Sequence, residues 1–463
     1  MGDKEGRTTR EENVFHSFNH NVINDAINIT PVDYFNTNEH NNIGNGVNLP
    51  SSRPIKKATT NEHGITGGLV VLTEDTNEHE ENMQNGNDFV DALNKDGTDS
   101  TDAMWVSPEH KKIGNETGKE PRKKNVLTLP NGARVTFGEV IALAGDYYGI
   151  PDAPIADPLL GSDQTDSGAR ERFKNAYATL ALIPYEGEHK ERLDKLLEMM
   201  AEDSEDTTKG KCQHNDMEWD EATGGAWLAG LPIISGIMMK LAKKNYDHFL
   251  PNAKIAYVTG HEYAIEKARE AGRSREEDKE RLLSIALSID AFACHFLTDA
   301  FSSGHLRTPR AELARNVTPS NIGHLLCKYM HDEDNKFGLR VTNVRGDKWI
   351  AYGDGMLMNK CNKRNYQLVV EVVQISVDQI GRAFNNPDIE LDPCYVTDLI
   401  PFLDIKEKNN TPLFQVKDGK LHRRSDINNL QDKKTITNWW GATTAGNLQW
   451  WHEPKNSAIS PAP

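Results

Sequence analysis

The chain has few cysteines and no excess of basic residues. Its five cysteines are scattered over 463 residues without a CxxC pair, so we expect neither a disulfide framework nor a cysteine-based zinc knuckle. Lys and Arg number 53 against 69 Asp and Glu, which gives a net charge of −16. This acidic balance excludes a dedicated duplex-DNA binder, and we expect no stable nucleic-acid partner.

The start of the chain, MGDKEGRTTREENVFHSFNH, lacks the apolar segment of a secretory signal. We therefore expect no standard signal peptide. The most apolar stretch is WLAGLPIISGIMM at 227–239, which contains Pro232 and is too short to span a bilayer. We interpret this stretch as a buried helix.

Composition divides the sequence into three regions. Residues 1–125 are rich in Asn, Thr, Asp, Glu and Gly, which predicts an irregular, partly disordered arm with one ordered island near 60–75. Residues 126–388 repeat apolar positions at spacings of three and four, which predicts a helical domain. Residues 389–463 are mixed in pattern and predict a small C-terminal elaboration. The fold class is therefore mainly α.

Two dipeptides predict hairpin turns. Asn131-Gly132 lies in LPNGARVTF, and Asp418-Gly419 lies in PLFQVKDGKLHRR. Asn-Gly and Asp-Gly favour the left-handed backbone of tight hairpins, so we expect a short antiparallel pair of strands at each position.

The segment DAFACHFLTDAFSSGHLRTPR, residues 290–310, carries the main chemical signal. His295 and Asp299 are four residues apart and share one face of an apolar helix. The SSG sequence ends that helix and lets His305 turn back towards the same region. Burying an imidazole and a carboxylate is costly unless they are paired. Two interpretations follow: a hydrogen-bonded His–Asp pair in a core, or a divalent metal site, for which zinc prefers these ligands.

Other acids and imidazoles lie on neighbouring helical segments. Asp247 and His261 lie at the edges of amphipathic segments, and His324 and His331 share one helical face ahead of an acidic run. We leave out His248, because neighbouring residues point to different sides and Asp247 is placed inward. The candidate ligands are His63, Asp247, His261, His295, Asp299, His305, His331, Asp334 and His324.

The sequence CHFLTDAFSSGH, residues 294–305, resembles the H-[aromatic]-L-x-D-x5-H signature of zinc-dependent phospholipases C. That superfamily also includes fungal single-strand-specific zinc nucleases. An Asp followed by a His 14 residues later precedes the signature in the family, as Asp247 and His261 do here. The resemblance covers roughly 240–335 and implies a multi-helix bundle that holds two or three zinc ions.

The resemblance also implies how these ligands are shared among the ions. Asp247, His261, His295 and Asp299 would hold the first zinc, and Asp299 would bridge to a second zinc that also takes His63. His305 would begin the remaining site. Asp247 would orient or deprotonate the attacking water.

The sequence departs from the family pattern in two places. The family's last pair is a His followed four residues later by an acid, but Lys328 follows His324 and Asn335 follows His331. We take His331 with Asp334 as the substitute, and His324 or Asp332 as replacements for either. The family's N-terminal Trp has no counterpart before His63.

A cluster of zinc ions suits the hydrolysis of a phosphate ester, because one metal activates water while others neutralise phosphoryl oxygens. We therefore expect a phospholipase C that cleaves phospholipids at a membrane surface to diacylglycerol and a phosphorylated headgroup. A single-strand zinc nuclease and a non-catalytic effector module with structural zinc are the alternatives. The family is mostly secreted, so we expect secretion or delivery as an effector.

Overall fold

The computed structural model describes residues 37–50, 125–158, 166–207, 214–228, 231–353, 355–357 and 359–461. All of these belong to one compact unit, which comprises residues 1–52 and 125–463. The predicted island near 60–75, and His63 within it, lie outside the described residues.

The fold is mainly helical with small antiparallel sheets. Its helices are α1 (Thr37–Asn45), α2 (Phe137–Leu143), α3 (Asp166–Ala181), α4 (Gly187–Thr207), α5 (Asp216–Ala222), α6 (Ile237–Ala242), α7 (Asn252–Arg273), α8 (Glu276–Asp299), α9 (Ser303–Arg307), α10 (Arg310–Asn316), α11 (Ser320–Phe337), α12 (Lys363–Asn385) and α13 (Gly441–Trp451). Single turns of 3-10 helix lie at Tyr246–His248 and Lys360–Asn362, and a longer 3-10 segment at Pro393–Leu399.

The described strands form four small antiparallel sheets. The strands are β1 (Val126–Thr128), β2 (Arg134–Thr136), β3 (Ala226–Leu228), β4 (Leu231–Ile234), β5 (Leu339–Thr342), β6 (Lys348–Ala351), β7 (Phe402–Leu403), β8 (Phe414–Lys417), β9 (Lys420–Arg424) and β10 (Thr435–Ile436). Two sheets are the simple pairs β1–β2 and β3–β4, and two are three-stranded, in the orders β6–β5–β7 and β10–β9–β8.

The centre of the fold is the pair α7 and α8, which a two-residue connection forces to run antiparallel. Helices α1, α2, α3 and α12 pack around this pair. Close approach of α1 to α2 depends on Gly44 and Gly138, because a Cβ on Gly44 would lie 2.3 Å from the Gly138 Cα. The buried faces of these helices form the main hydrophobic core, and the C-terminal half of α8 runs through it.

Local sequence signals explain where several elements begin. Thr136 and Glu139 form a reciprocal capping box at the start of α2, and Asn215 and Glu218 form another at α5. Both predicted hairpins are confirmed. The first is β1–β2, whose turn places Gly132 at φ +89°, and the second is β8–β9, with Asp418 and Gly419 at φ +51° and +69°.

Two expectations differ from the structure. The arm predicted over 1–125 includes a helix, α1, and both Ile43 in this helix and Val47 just after it are fully buried. The interpretation of 227–239 as a buried helix is wrong: it forms the hairpin β3–β4 followed by the start of α6. The β-branched and Pro-containing run at Leu231–Ile234 favours a short strand over a helix.

The C-terminal elaboration packs on the helical domain through a second apolar cluster. Leu413, Phe414 and Leu448 from the elaboration contact Leu313 and Leu326 from α10 and α11 in that cluster. The C-terminal sheet and α13 therefore cover the helix that carries His331.

Candidate metal centre

Helix α8 brings polar groups deep into the fold. Among the described residues it is the one helix long and apolar enough to cross a membrane, yet 83% of its apolar window is buried inside the protein. Such a helix is weak evidence for a membrane span, because a core helix meets the same criteria. On its last turns, His295 and Asp299 are fully buried, with Nε2 of His295 3.5 Å from Oδ2 of Asp299.

Four imidazoles surround the two carboxylate oxygens of Asp299. Oδ2 lies 2.8 Å from Nδ1 of His248 and 3.5 Å from Nε2 of His295. Oδ1 lies 3.7 Å from Nε2 of His40 and 3.6 Å from Nδ1 of His305. The two oxygens therefore face different pairs of rings.

Hydrogen bonds behind two of these rings determine which nitrogen carries the proton. Nδ1 of His295 lies 2.9 Å from the Ile141 carbonyl, which can only accept, so Nδ1 donates. The Thr298 hydroxyl donates to the His295 carbonyl at 2.8 Å and lies 2.7 Å from Nδ1 of His40, from which it accepts. In the neutral form of both rings, the unprotonated Nε2 therefore faces the carboxylate.

The surroundings also keep two of the rings neutral. Burial lowers the pKa of His295 well below its ordinary value, and repulsion by His40 and His248 lowers it further. Burial likewise lowers the pKa of His305, with added repulsion from His331 and His248. Neutral imidazole nitrogens converging on a buried carboxylate are a donor set that suits a metal cation.

A second carboxylate, Asp146, joins these groups. Two sets of three residues place one donor atom each within 4.8 Å of the others: His40, Asp146 and His295, and His248, His295 and Asp299. Asp146 is the most exposed of these side chains, at 17%. We call His40, Asp146, His248, His295, Asp299 and His305 the Asp299 cluster. These buried His and Asp groups could bind a metal ion.

Gly145 allows the chain to pass close to this cluster. It has φ +70°, and a Cβ there would lie 2.5 Å from Nε2 of His295 and 2.9 Å from Cε1 of His248. The left-handed backbone and the close approach both require glycine. The AGDYYG segment after α2 is thereby fixed against the rings and places Asp146 beside them.

The structure places Asp247 beside the cluster but turns it away from Asp299. Its Oδ2 accepts the backbone N–H of Ile155 at 2.7 Å, and its Oδ1 lies 3.9 Å from Nε2 of His248. Burial raises the pKa of Asp247, an effect that the nearby His248 opposes. Asp247 thus contacts the far side of the His248 ring, while His248 itself faces Asp299.

His261 belongs to a different buried network. Its Nδ1 lies 2.7 Å from Oδ1 of Asp290, and its Nε2 lies 2.9 Å from Oε1 of Gln379. Ser376 donates to the same Asp290 carboxylate at 2.9 Å. These hydrogen bonds join α7, α8 and α12, so the contacts of His261 are those of a polar group that ties core helices together.

His305 and His331 come together at the edge of the cluster. Their ring centroids are 5.0 Å apart, and Nδ1 of His331 lies 3.1 Å from Oδ1 of Asp332. Asn335 does not extend the donor set, because its Oδ1 accepts from the Gly304 N–H at 2.7 Å and from nearby serine hydroxyls. Its carbonyl thus supports the SSG turn that presents His305.

The remaining candidates, Asp334 and His324, form ion pairs and hydrogen bonds elsewhere. Asp334 accepts two hydrogen bonds from Arg307, at 2.8 and 2.6 Å. Burial raises the pKa of Asp334, although Arg307 opposes the shift. Nδ1 of His324 accepts from Arg310 at 2.7 Å. Each acid of the run 332–334, a predicted source of metal ligands, therefore pairs with a basic side chain.

Sequence reasoning does not select His40, Asp146 or His248. His40 lies in the predicted arm, and His248 is left out as the neighbour of Asp247. His248 lies in the run YDHF, which forms a 3-10 turn at Tyr246–His248. The side chains of neighbouring residues leave such a turn in other directions than they would at the edge of an α-helix. For Asp146 the signal is the pair of glycines in AGDYYG.

A small, partly open cavity reaches this region. Its lining includes Asp247 and His248, the apolar side chains Ile150, Ile155, Leu241, Phe292 and Phe296, and Lys244. Comparisons with protein-family models, with curated proteins and with solved structures find no match to this chain.

Proposed function

We propose that the protein is a zinc-dependent phosphodiester hydrolase of the phospholipase C type. The observation that carries this proposal is the position of Asp299, whose two oxygens each face a pair of buried imidazoles. The unprotonated Nε2 atoms of His40 and His295 point towards a carboxylate, and a cation between such nitrogen and oxygen atoms would be bound by both.

The donor types and their spacing fit zinc. Imidazole nitrogen and carboxylate oxygen bind zinc at about 2.0–2.2 Å, so donors around one ion lie up to about 4 Å apart. Two sets of three donors in the Asp299 cluster lie within 4.8 Å of one another, slightly wider than this spacing: His40, Asp146 and His295, and His248, His295 and Asp299. We assign His248, His295 and Asp299 to one ion and His40 with Asp146 to the neighbouring position. Two or three ions are proposed, the third beside His305 and His331.

When bound, such ions supply a hydroxide from water near neutral pH and neutralise the charge of phosphoryl oxygens. We assign the proton-accepting or water-orienting role to Asp146, because its side chain is partly exposed whereas the Asp247 carboxylate is buried and bonded to Ile155. The Asp247 carboxylate instead lies 3.9 Å from the far nitrogen of His248. Such carboxylate–histidine pairs orient metal ligands.

The cavity favours a phospholipid as substrate. Its wall is mainly aliphatic and aromatic, and Lys244, which pairs with Asp152, also lines it, a composition that suits the glycerol portion of a lipid beside a phosphate. Three exposed tryptophans favour the alternative, a single-strand nuclease. Trp440, Trp450 and Trp451 are 67%, 44% and 58% exposed and offer surfaces on which bases stack.

The test combines metal analysis with hydrolysis. The purified protein is expected to contain zinc, to release phosphorylated headgroup from phosphatidylcholine vesicles, and to lose both properties on chelation. Asp299→Asn is expected to lose zinc and activity. Asp388→Asn, at a carboxylate that is 88% exposed on the surface, is the matched control and is expected to keep both.

Each alternative predicts a different result. Cleavage of single-stranded DNA without headgroup release would identify the nuclease. Zinc that remains bound while no phosphodiester is hydrolysed would identify a structural metal in a non-catalytic module. Protein without zinc, and with activity unaffected by chelators, would overturn the proposal.

A further inference from the structure

The hairpin β3–β4 presents large aliphatic side chains to solvent. Leu228, Ile233 and Ile234 are 68%, 64% and 55% exposed. All three lie on one two-stranded element, in which Ala226 pairs with Ile234 and Leu228 pairs with Leu231. Exposed aliphatic groups gathered on one short element are costly in water and are typical of an interaction surface.

A buried carboxylate, rather than packing of these aliphatic groups, anchors the hairpin. Asp220 is fully buried, and its carboxylate accepts from Trp227 Nε1 at 3.0 Å and from the Gly236 N–H at 2.9 Å. Its backbone carbonyl accepts from the Gly225 N–H at 2.9 Å. Because both ends of the hairpin are bonded to Asp220, its apolar side chains are held outward.

Positive charge follows the hairpin directly. Lys240, Lys243 and Lys244 lie on or just after α6 and are exposed. Lys243 donates to Ser235 at 3.2 Å, and Lys244 pairs with Asp152 at 2.6 Å. The acidic residues of α5 precede the hairpin in the chain, whereas the lysines follow it. The exposed lysines that follow β4 are cations of the kind that attract lipid phosphates.

The same short helix connects the hairpin with the cavity. Helix α6 has six residues and is about 9 Å long. Leu241 near its end and Lys244 just after it line the cavity that His248 also lines. A surface that receives the hairpin therefore lies within about one short helix of the cavity wall.

We propose that the strands β3 (Ala226–Leu228) and β4 (Leu231–Ile234) dock the protein on a phospholipid bilayer. Leu228, Ile233 and Ile234 enter the boundary between headgroups and acyl chains, and the exposed Lys240 and Lys243 contact lipid phosphates. This places the cavity against the lipid surface. The role of the docked lipid as substrate rests on the proposed function, whereas docking itself does not.

The test measures binding of the full-length protein to phosphatidylcholine vesicles that contain a minor fraction of phosphatidylglycerol. The variant Leu228→Ser/Ile233→Ser/Ile234→Ser is expected to lower vesicle affinity about tenfold or more. The matched control is Leu182→Ser/Val344→Ser/Ile405→Ser, which removes three aliphatic side chains that are 58%, 67% and 93% exposed elsewhere. It is expected to bind like the wild type. Circular dichroism checks that both variants fold.

A second readout separates docking from catalysis. Hydrolysis of a short-chain phosphodiester that stays monomeric in water is expected to be unchanged in the hairpin variant, while hydrolysis of vesicle lipid falls. If no phosphodiester is hydrolysed but the hairpin variant still loses vesicle binding, the proposed function fails and docking stands. A wild-type protein that ignores vesicles, or a hairpin variant that binds them normally, overturns docking. A hairpin variant that loses self-association instead identifies a second copy of the chain as the occupant.

Discussion

Nδ1 of His40 lies 2.7 Å from the hydroxyl oxygen of Thr298, although 258 residues separate them in sequence. The same hydroxyl donates to the carbonyl of His295, one turn back on α8. Thr298 therefore connects two rings of the Asp299 cluster. Its hydroxyl accepts a hydrogen bond from the His40 ring and donates one to the backbone carbonyl of His295. Its position determines the tautomer of His40 and hence which nitrogen faces the carboxylate.

We expect Thr298→Val to lower zinc affinity about tenfold or more, because it removes the acceptor for Nδ1–H while keeping the shape of the side chain. Thr298→Ser retains the hydroxyl and is expected to restore the affinity. Calorimetric titration of stripped protein with zinc measures this, and urea unfolding separates it from a general loss of stability. Equal zinc affinity in the valine variant and the wild type would show that Thr298 does not orient His40.

His248 and His261 offer a direct comparison, because both are buried histidines near α8. We expect His248→Gln to reduce the zinc content, since Nδ1 of His248 faces Asp299 at 2.8 Å. We expect His261→Gln to lower the free energy of unfolding but keep the zinc, since His261 bonds Asp290 and Gln379. Elemental analysis of both variants measures the zinc content, and urea unfolding measures the free energy of unfolding. Loss of zinc from the His261 variant alone would favour the ligand set implied by the family resemblance.

Only part of the Asp299 cluster can be predicted from the sequence. The shared face of His295 and Asp299 follows from helical periodicity, and the return of His305 follows from the SSG helix end, so the structure brings these three side chains together. His40 and Asp146 could not be found in that way. Their contacts with α8 depend on how distant segments pack, which no local spacing encodes.

The choice between Asp247 and His248 is a question of local backbone geometry. The spacing of the residues favours the acid as the inward side chain. A 3-10 turn instead directs Oδ2 of Asp247 to the Ile155 N–H and the ring of His248 to Asp299. The turn type is set by surrounding contacts and is not visible in that spacing.

Gly145→Ala is expected to disrupt the metal centre. An added Cβ would lie 2.5 Å from Nε2 of His295, whose ring is fixed by the Ile141 carbonyl. Gly132→Ala is the matched control, because Gly132 has φ +89° and a Cβ added there would meet nothing within 4 Å. Both variants are expected to lose about 1–2 kcal/mol of stability from the left-handed backbone, but only Gly145→Ala should lose zinc. Normal zinc binding by Gly145→Ala would place the bound metal away from His295.

His324 makes the protein sensitive to acid. Burial, together with the Arg310 guanidinium, lowers the pKa of His324 to about 3. Between about pH 3 and 6.5 the unfolded chain binds a proton on this ring that the folded protein does not, so the free energy of unfolding falls as the pH falls. From pH 6.5 to 5 this amounts to about 2 kcal/mol.

We expect His324→Gln to reduce that loss, because glutamine offers Arg310 an acceptor but does not titrate. Urea unfolding of both proteins at neutral pH and at about pH 5, with a chelator present in every sample, measures the difference. If the free energy of unfolding fell equally in the two proteins, the folded protein would bind a proton on His324 as readily as the unfolded chain does.

Arg424 and Glu333 link the C-terminal elaboration to α11. The guanidinium donates to both carboxylate oxygens, at 2.8 and 2.7 Å, and also to the Thr411 carbonyl at 2.7 Å. The Arg424 side chain is fully buried and that of Glu333 is 2% exposed. Burial alone would raise the pKa of Glu333, but hydrogen bonds from Arg424 and His452 outweigh it and hold the pKa below its ordinary value.

Arg424→Met is therefore expected to cost about 3–5 kcal/mol of stability, because it leaves a buried carboxylate without its main partner. Adding Glu333→Gln removes that uncompensated charge and is expected to recover part of the loss. Lys195→Met breaks an ion pair whose side chains are 52% and 60% exposed, and it should change stability little. Chemical unfolding of the four proteins measures these effects. If the Arg424 and Lys195 variants lost equal stability, the pairing with Glu333 would contribute no more than a surface ion pair, and the elaboration would be held on α11 by its apolar contacts alone.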